Sequence, residues 1–148
     1  MAGFKGQAEY SVDSKGRIAV PAKMRNVLQP EAKNTFTLTR GFEKCIFGYP
    51  QDRWEDMERE MRSLNTYVSK SRDFIRGILM WAEEVTLDGQ GRIGLPRPLI
   101  EFAGIKDRAL IIGALDHIEI WNPALFEEYL EGQETDYQSL AESVMGRE

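Results

Sequence analysis

A chain of 148 residues suits one compact domain or two small intertwined ones, and a 42% hydrophobic share with three Trp, five Tyr and seven Phe favours a packed core over disorder. The formal net charge of −5 is unevenly spread: residues 1–29 hold five bases against two acids, whereas residues 116–148 hold nine acids against one Arg. No run nears the ~20 apolar residues of a membrane span, the stretch MAGFKGQAEY lacks the apolar centre of a signal peptide, and the single Cys45 cannot form an intrachain disulfide, so a cytoplasmic protein is expected.

The elements come in two copies. In the first, a strand ends at Val12 and Asp13, and Asp-x-x-Gly makes a tight turn. Ile18 and Val20 alternate as the buried face of a second strand. Pro21 ends that strand and suits the first turn of a helix over 22–28. Strands over 35–39 and 46–49 follow, joined by a turn at 40–44. Trp54, Met57, Met61 and Leu64 then recur at helical spacing over 52–64. A second helix, capped by Thr66 and running to about residue 82, has Phe74, Ile75, Ile78 and Leu79 on one face.

In the second copy a first strand ends over 85–88. Asp88-Gly-Gln-Gly91-Arg92-Ile93-Gly-Leu95-Pro96 matches Asp13-Ser-Lys-Gly16-Arg17-Ile18-Ala-Val20-Pro21 at an offset of 75. A helix over 97–103 stops at Gly104, and strands over 109–112 and 118–121 follow. Leu38, Phe42 and Pro50 answer Ile111, Leu115 and Pro123 at an offset of 73. A short helix over 123–130 comes last, and the polar, acidic tail past Gly132 is expected to be partly disordered. The fold class is therefore α+β: ββαββ modules at 7–54 and 82–125, a helical insert at 55–81, and a C-terminal helix with acidic tail at 126–148.

In each turn, Gly16 or Gly91 supplies the left-handed conformation, and Asp13 or Asp88 accepts from turn N–H groups and pairs with Arg17 or Arg92. Two readings of the pair stand. The Asp and Arg staple the turn and do nothing more, or Lys15 and Arg17 project from the hairpin tip onto DNA. On the second reading Lys is a point charge for phosphate and Arg forks onto phosphate or a guanine edge. The basic N-terminal module suits phosphate despite the negative total.

The stretches YSVDSKGRIAVPAKMR, LTRGFEKCIFGYP and VTLDGQGRIGLPRPL resemble the MraZ family of transcriptional regulators, as do AGI, IIGALDHIEIW and the spacing between them, over roughly residues 4–131. The resemblance implies two SpoVT-AbrB modules forming a swapped-hairpin, AbrB-like β-barrel, and assembly into a ring-like homo-oligomer. It further implies a repressor that binds short direct repeats in the promoter of the division and cell-wall gene cluster and associates with the nucleoid. The family's D-x-x-x-R motif falls on Asp13 and Arg17, and again on Asp88 and Arg92. Lys15 answers to Gln90, and Glu83 and Glu84 precede the second turn, so the two tips are expected to be unequal. Arg17 and Lys15 are the expected main contacts, Lys23 and Arg25 supporting phosphate ligands, and Arg92 a weaker one.

Enzymatic chemistry finds little support. With one Cys and one His no metal cluster of usual spacing is present, and no cofactor, small-molecule substrate or nucleotide-binding glycine motif is expected. Cys45 aligns with Ile118 and reads as a small hydrophobic strand residue; His117 aligns with Lys44 and reads as an exposed turn residue. The alternative is an antitoxin-like module whose acidic C-terminus engages a basic protein.

Overall fold

A computed structural model describes residues 3–146. In chain order these form β1 (Gln7–Ser11), β2 (Arg17–Ala19), α1 (Ala22–Arg25), a 3-10 turn (Pro30–Ala32), β3 (Thr35–Arg40), β4 (Ile46–Pro50), α2 (Gln51–Arg62) and α3 (Ser69–Leu79). The second half gives β5 (Glu83–Thr86), β6 (Arg92–Gly94), α4 (Arg97–Ala103), β7 (Arg108–Gly113), β8 (Ile118–Trp121), α5 (Pro123–Glu131) and α6 (Tyr137–Met145). The mixed α+β repeat is thus present. No helix among the described residues is long and apolar enough to cross a membrane.

Six strands form one antiparallel sheet in the order β1-β7-β8-β4-β3-β5, and β2 pairs with β6 in a separate ribbon. Each module's leading strand lies against the third strand of the other: Tyr10 faces Ala109 across β1 and β7, and Val85 faces Phe36 across β5 and β3. The expected closed barrel is not formed, because β1 and β5 remain the two edges of an open sheet. What covers the sheet is the β2–β6 ribbon. Its Ile18 and Ile93 face each other and are almost wholly buried, with Val20, Leu95, Met24 and Leu99 beside them over Phe36, Leu38, Ile111 and Ile120. Alternation does this: odd and even positions of a strand point to opposite faces, so burying Ile18 and Ile93 turns Arg17 and Arg92 outward.

The opposite face of the sheet carries a second core. Phe47, Tyr49, Trp54, Met61, Ile78 and Trp121 pack there beneath α2 and α3. β4 is therefore buried on both faces, Ile46 towards one core and Phe47 and Tyr49 towards the other. Thr37 and Thr39 are buried on this side as well. Their hydroxyls donate to Gln51 Oε1 at 2.8 Å and to the Ile78 carbonyl at 2.6 Å, which offsets the cost of burial.

Several helix bounds differ from expectation: α2 and α3 end two to three residues early, at Arg62 and Leu79. α1 is one turn, Ala22–Arg25, followed by the Pro30–Ala32 turn that a proline there favours. α3 starts at Ser69 with Val68, not Thr66, at its cap. Past Gly132 the chain forms α6, capped by Asp136, whose carboxylate accepts from Ser139 N at 2.8 Å. The last two residues of the predicted tail lie outside the described residues.

Candidate nucleic-acid interface

The two motif turns have matching hydrogen bonds. Asp13 Oδ1 accepts from the Lys15 and Arg17 backbone N–H groups, each at 2.9 Å, and its Oδ2 accepts from Arg17 Nε at 2.7 Å. Asp88 Oδ1 accepts from Gln90 and Arg92 N–H at 2.9 Å, and its Oδ2 from Arg92 Nε at 2.9 Å. Gly16 and Gly91 sit at φ +75° and +73°, where a Cβ would be strained. The Arg17 backbone N–H above all, then its guanidinium and the Lys15 N–H, hold the Asp13 carboxyl below its ordinary value. For Asp88 the Arg92 N–H leads, followed by the Gln90 N–H and the Arg92 guanidinium.

The ribbon joins the turns. Arg17 faces Gly94 and Ala19 faces Arg92, so both guanidinium side chains share the outer face with two of the smallest residues. The turns are locked to it reciprocally: Val20 N donates to Gly91 O at 2.9 Å, and Leu95 N to Gly16 O at 2.8 Å. Arg92 Nη1 also lies 3.7 Å from Asp13 Oδ2, linking the two turns. Each Arg side chain is about one-third exposed, at 34% and 28%. With Nε bonded to the neighbouring Asp, the Nη end of each fork is what remains for a further acceptor. Two fixed cations on one outer face, held by the Asp13 and Asp88 carboxylates beside small Ala19 and Gly94, leave their outer ends for a polyanion such as a phosphate backbone.

Of the other predicted ligands, Lys15 stays at the first tip, and Lys23 and Arg25 lie away from it. Lys15 is exposed in the first turn, as Gln90 is in the second. Lys23 is exposed, but its ammonium lies against Gly6, at the far end of β1 from the first turn. Arg25 packs its guanidinium over Gly91, and its Nε is buried without a partner. It therefore belongs to the second turn and covers it. Glu83 and Glu84 do not flank that turn closely. They sit at the opposite end of β5, where Glu84 accepts from Gln51 Nε2 at 3.0 Å. They are therefore set apart from the second turn, and within the two loops the difference is Lys15 against Gln90.

Two cations at the first tip escaped the sequence reading. Arg97 and Lys106 line an open groove with Lys15, Gly16 and Ile100. Arg97 is offset by 75 from Ala22, so the motif match carried no signal there.

The Cys45 thiol is fully buried, and burial, with the nearby Glu119 and Glu43 charges, pushes it well above its ordinary pKa. A nucleophilic thiolate is not available. His117 is not the exposed turn residue expected. Its ring lies 4.5 Å from that of Phe47 and 5.1 Å from that of Tyr49, and its Nε2 lies 3.8 Å from Glu119 Oε2. The displaced signal was the alternation of β4, which puts Phe47 and Tyr49 on the face where His117 lands.

A family model described as "MraZ protein, putative antitoxin-like" matches the chain twice, over residues 4–77 and 78–147. The chain belongs to the MraZ family. Among its curated relatives are proteins named Transcriptional regulator MraZ from Syntrophomonas wolfei subsp. wolfei and from Natranaerobius thermophilus. They are 39% and 38% identical to it over 142 residues, covering 96% of both chains in each case. The boundary between the two MraZ matches falls within α3, so each match holds one complete turn and its ribbon strand.

Proposed function

We propose that the chain is a sequence-specific DNA-binding transcriptional regulator that acts as a homo-oligomer. The observation that carries this is the β2–β6 ribbon, which presents Arg17 and Arg92 on one outer face between Ala19 and Gly94. The names of its MraZ relatives agree with it. Arg17 and Lys15 make the main contacts, and Arg92 a second, weaker one. Asp13, Gly16, Asp88 and Gly91 hold the turns. Lys23 and Arg25 are supporting phosphate ligands, Arg25 from its place over the second turn. Repression of the division and cell-wall cluster, a cytoplasmic and nucleoid-associated location, and modules at 7–54 and 82–125 around a 55–81 insert complete the reading. So does a swapped-hairpin arrangement of the two modules within a ring-like homo-oligomer.

A second reading is favoured by α6, whose Tyr137, Leu140, Val144 and Met145 are exposed in an acidic segment. On that reading the C-terminus binds a basic protein, in the manner of an antitoxin. One experiment separates the two. Binding is measured to a duplex carrying the short repeats upstream of the chain's own gene, and to a scrambled duplex, for the full chain and for a chain lacking 132–148. Tight, salt-sensitive preference for the repeats by both chains supports the regulator. Loss of that preference only on truncation, or no preference in either chain, contradicts it.

A further inference from the structure

The backbone bonds just ahead of the two motif turns point to a pair of lysines that the motif does not contain. Val12 N donates to the Asp107 carbonyl at 2.8 Å, and Leu87 N donates to the Asn34 carbonyl at 2.8 Å. Val12 and Leu87 immediately precede Asp13 and Asp88. Each turn therefore hangs from a carbonyl of the opposite module. The residue before each of those carbonyls is a lysine, Lys106 at the first turn and Lys33 at the second, and both are exposed. They are related by the offset of 73 that relates β3 to β7, not by the 75 of the motif. A search for repeats anchored on the motif misses them for that reason.

We infer that Lys106 and Lys33 are DNA phosphate ligands, one beside each tip and each supplied by the module opposite the turn it flanks. The inference rests on the DNA-binding reading above. At the first tip Lys106 shares its groove with Lys15 and Arg97, with Glu101 paired to Arg97 at 3.4 Å on the α4 side. At the second, Lys33 is one residue from the Asn34 carbonyl that anchors Leu87, and the turn that Leu87 precedes carries Gln90 in place of Lys15, with Arg25 packed over Gly91. Lys33 is thus an exposed cation one residue from the anchor of a turn whose own loop residues, Gly89 and Gln90, carry no charge. A lysine is a point charge that accepts any phosphate, so the pair adds affinity and register but no base preference.

The test measures affinity for the promoter-repeat duplex and for a random duplex across a series of salt concentrations. The proteins compared are the full chain, Lys33→Gln, Lys106→Gln, the double variant, and Lys70→Gln on α3 as an exposed control. Thermal unfolding is followed in parallel, and exposed lysines leave it unchanged. Each single change is expected to lower the slope of log affinity against log salt by about 0.9 per engaged subunit, the double by about twice that, with the promoter-to-random ratio preserved. Slopes equal to those of the control, in a protein whose binding is lost on Arg17→Ala, overturn the lysine inference alone. A promoter-to-random ratio that collapses in the lysine variants overturns it too, by making them readers of sequence. Absence of salt-dependent binding in the full chain overturns the DNA-binding reading beneath it.

Discussion

The carboxylate of Asp13 meets three N–H groups, and that of Asp88 meets three more. Two of each three belong to the backbone of the turn and the third to the Arg that follows, so one ionised group both shapes the tip and aims its cation. Both carboxyls titrate below their ordinary value, chiefly because a backbone N–H, of Arg17 or Arg92, favours the charged form. A lowered folded-state pKa gives a stabilising contribution that is complete above the unfolded value of about 4 and is lost as pH falls through the folded value. Carboxyl-detected NMR titration is expected to place both midpoints below about 3.9, with the Arg17 and Arg92 Nε–H signals losing their exchange protection over the same range. A midpoint at or above that value for either residue contradicts the turn geometry.

At the scale of elements, the ribbon works because its two faces are opposed: Ile18 and Ile93 in the core, Arg17, Ala19, Arg92 and Gly94 outside. Ala19→Glu adds a further carboxylate beside the guanidinium groups, opposite Arg92, on the face turned away from the core. It is expected to leave thermal unfolding nearly unchanged and to weaken DNA binding at least tenfold, comparable to loss of a specific Arg contact. Unchanged affinity would mean that DNA does not meet this face. Much of this element was legible in the sequence, because Gly16, Ile18, Val20 and Pro21 and their copies encode turn, alternation and strand end locally. The pairing of β1 with β7 and of β5 with β3 was not, since no local pattern names a partner about a hundred or fifty residues away. The open edges of β1 and β5 followed from the same gap. α6 was legible and overlooked: Asp136 three residues before Ser139 is a cap signal, and Tyr137, Leu140, Ala141 and Val144 keep helical spacing within an acidic stretch.

Over the whole molecule, the net charge of −5 and a DNA-binding face are compatible because charge is segregated. The acids concentrate past residue 116, while Lys15, Arg17, Arg92, Arg97, Lys106 and Lys33 gather at or beside the two turns. The site was only partly legible at this scale. Arg17 and Arg92 stand out in the motif, but which further cations join them depends on how the modules interlock. That brought Arg97 and Lys106 to the first tip and took Arg25 to the second. The most direct measurement is the affinity of Arg17→Ala, Arg92→Ala and the double variant for the promoter-repeat duplex, each with its unfolding curve. Both single variants are expected to bind about tenfold to a hundredfold more weakly, Arg17→Ala the more so, and the double to lose preference for the repeats while remaining folded. A folded double variant that binds the repeats as tightly as the unaltered chain would contradict the assignment of this face to DNA.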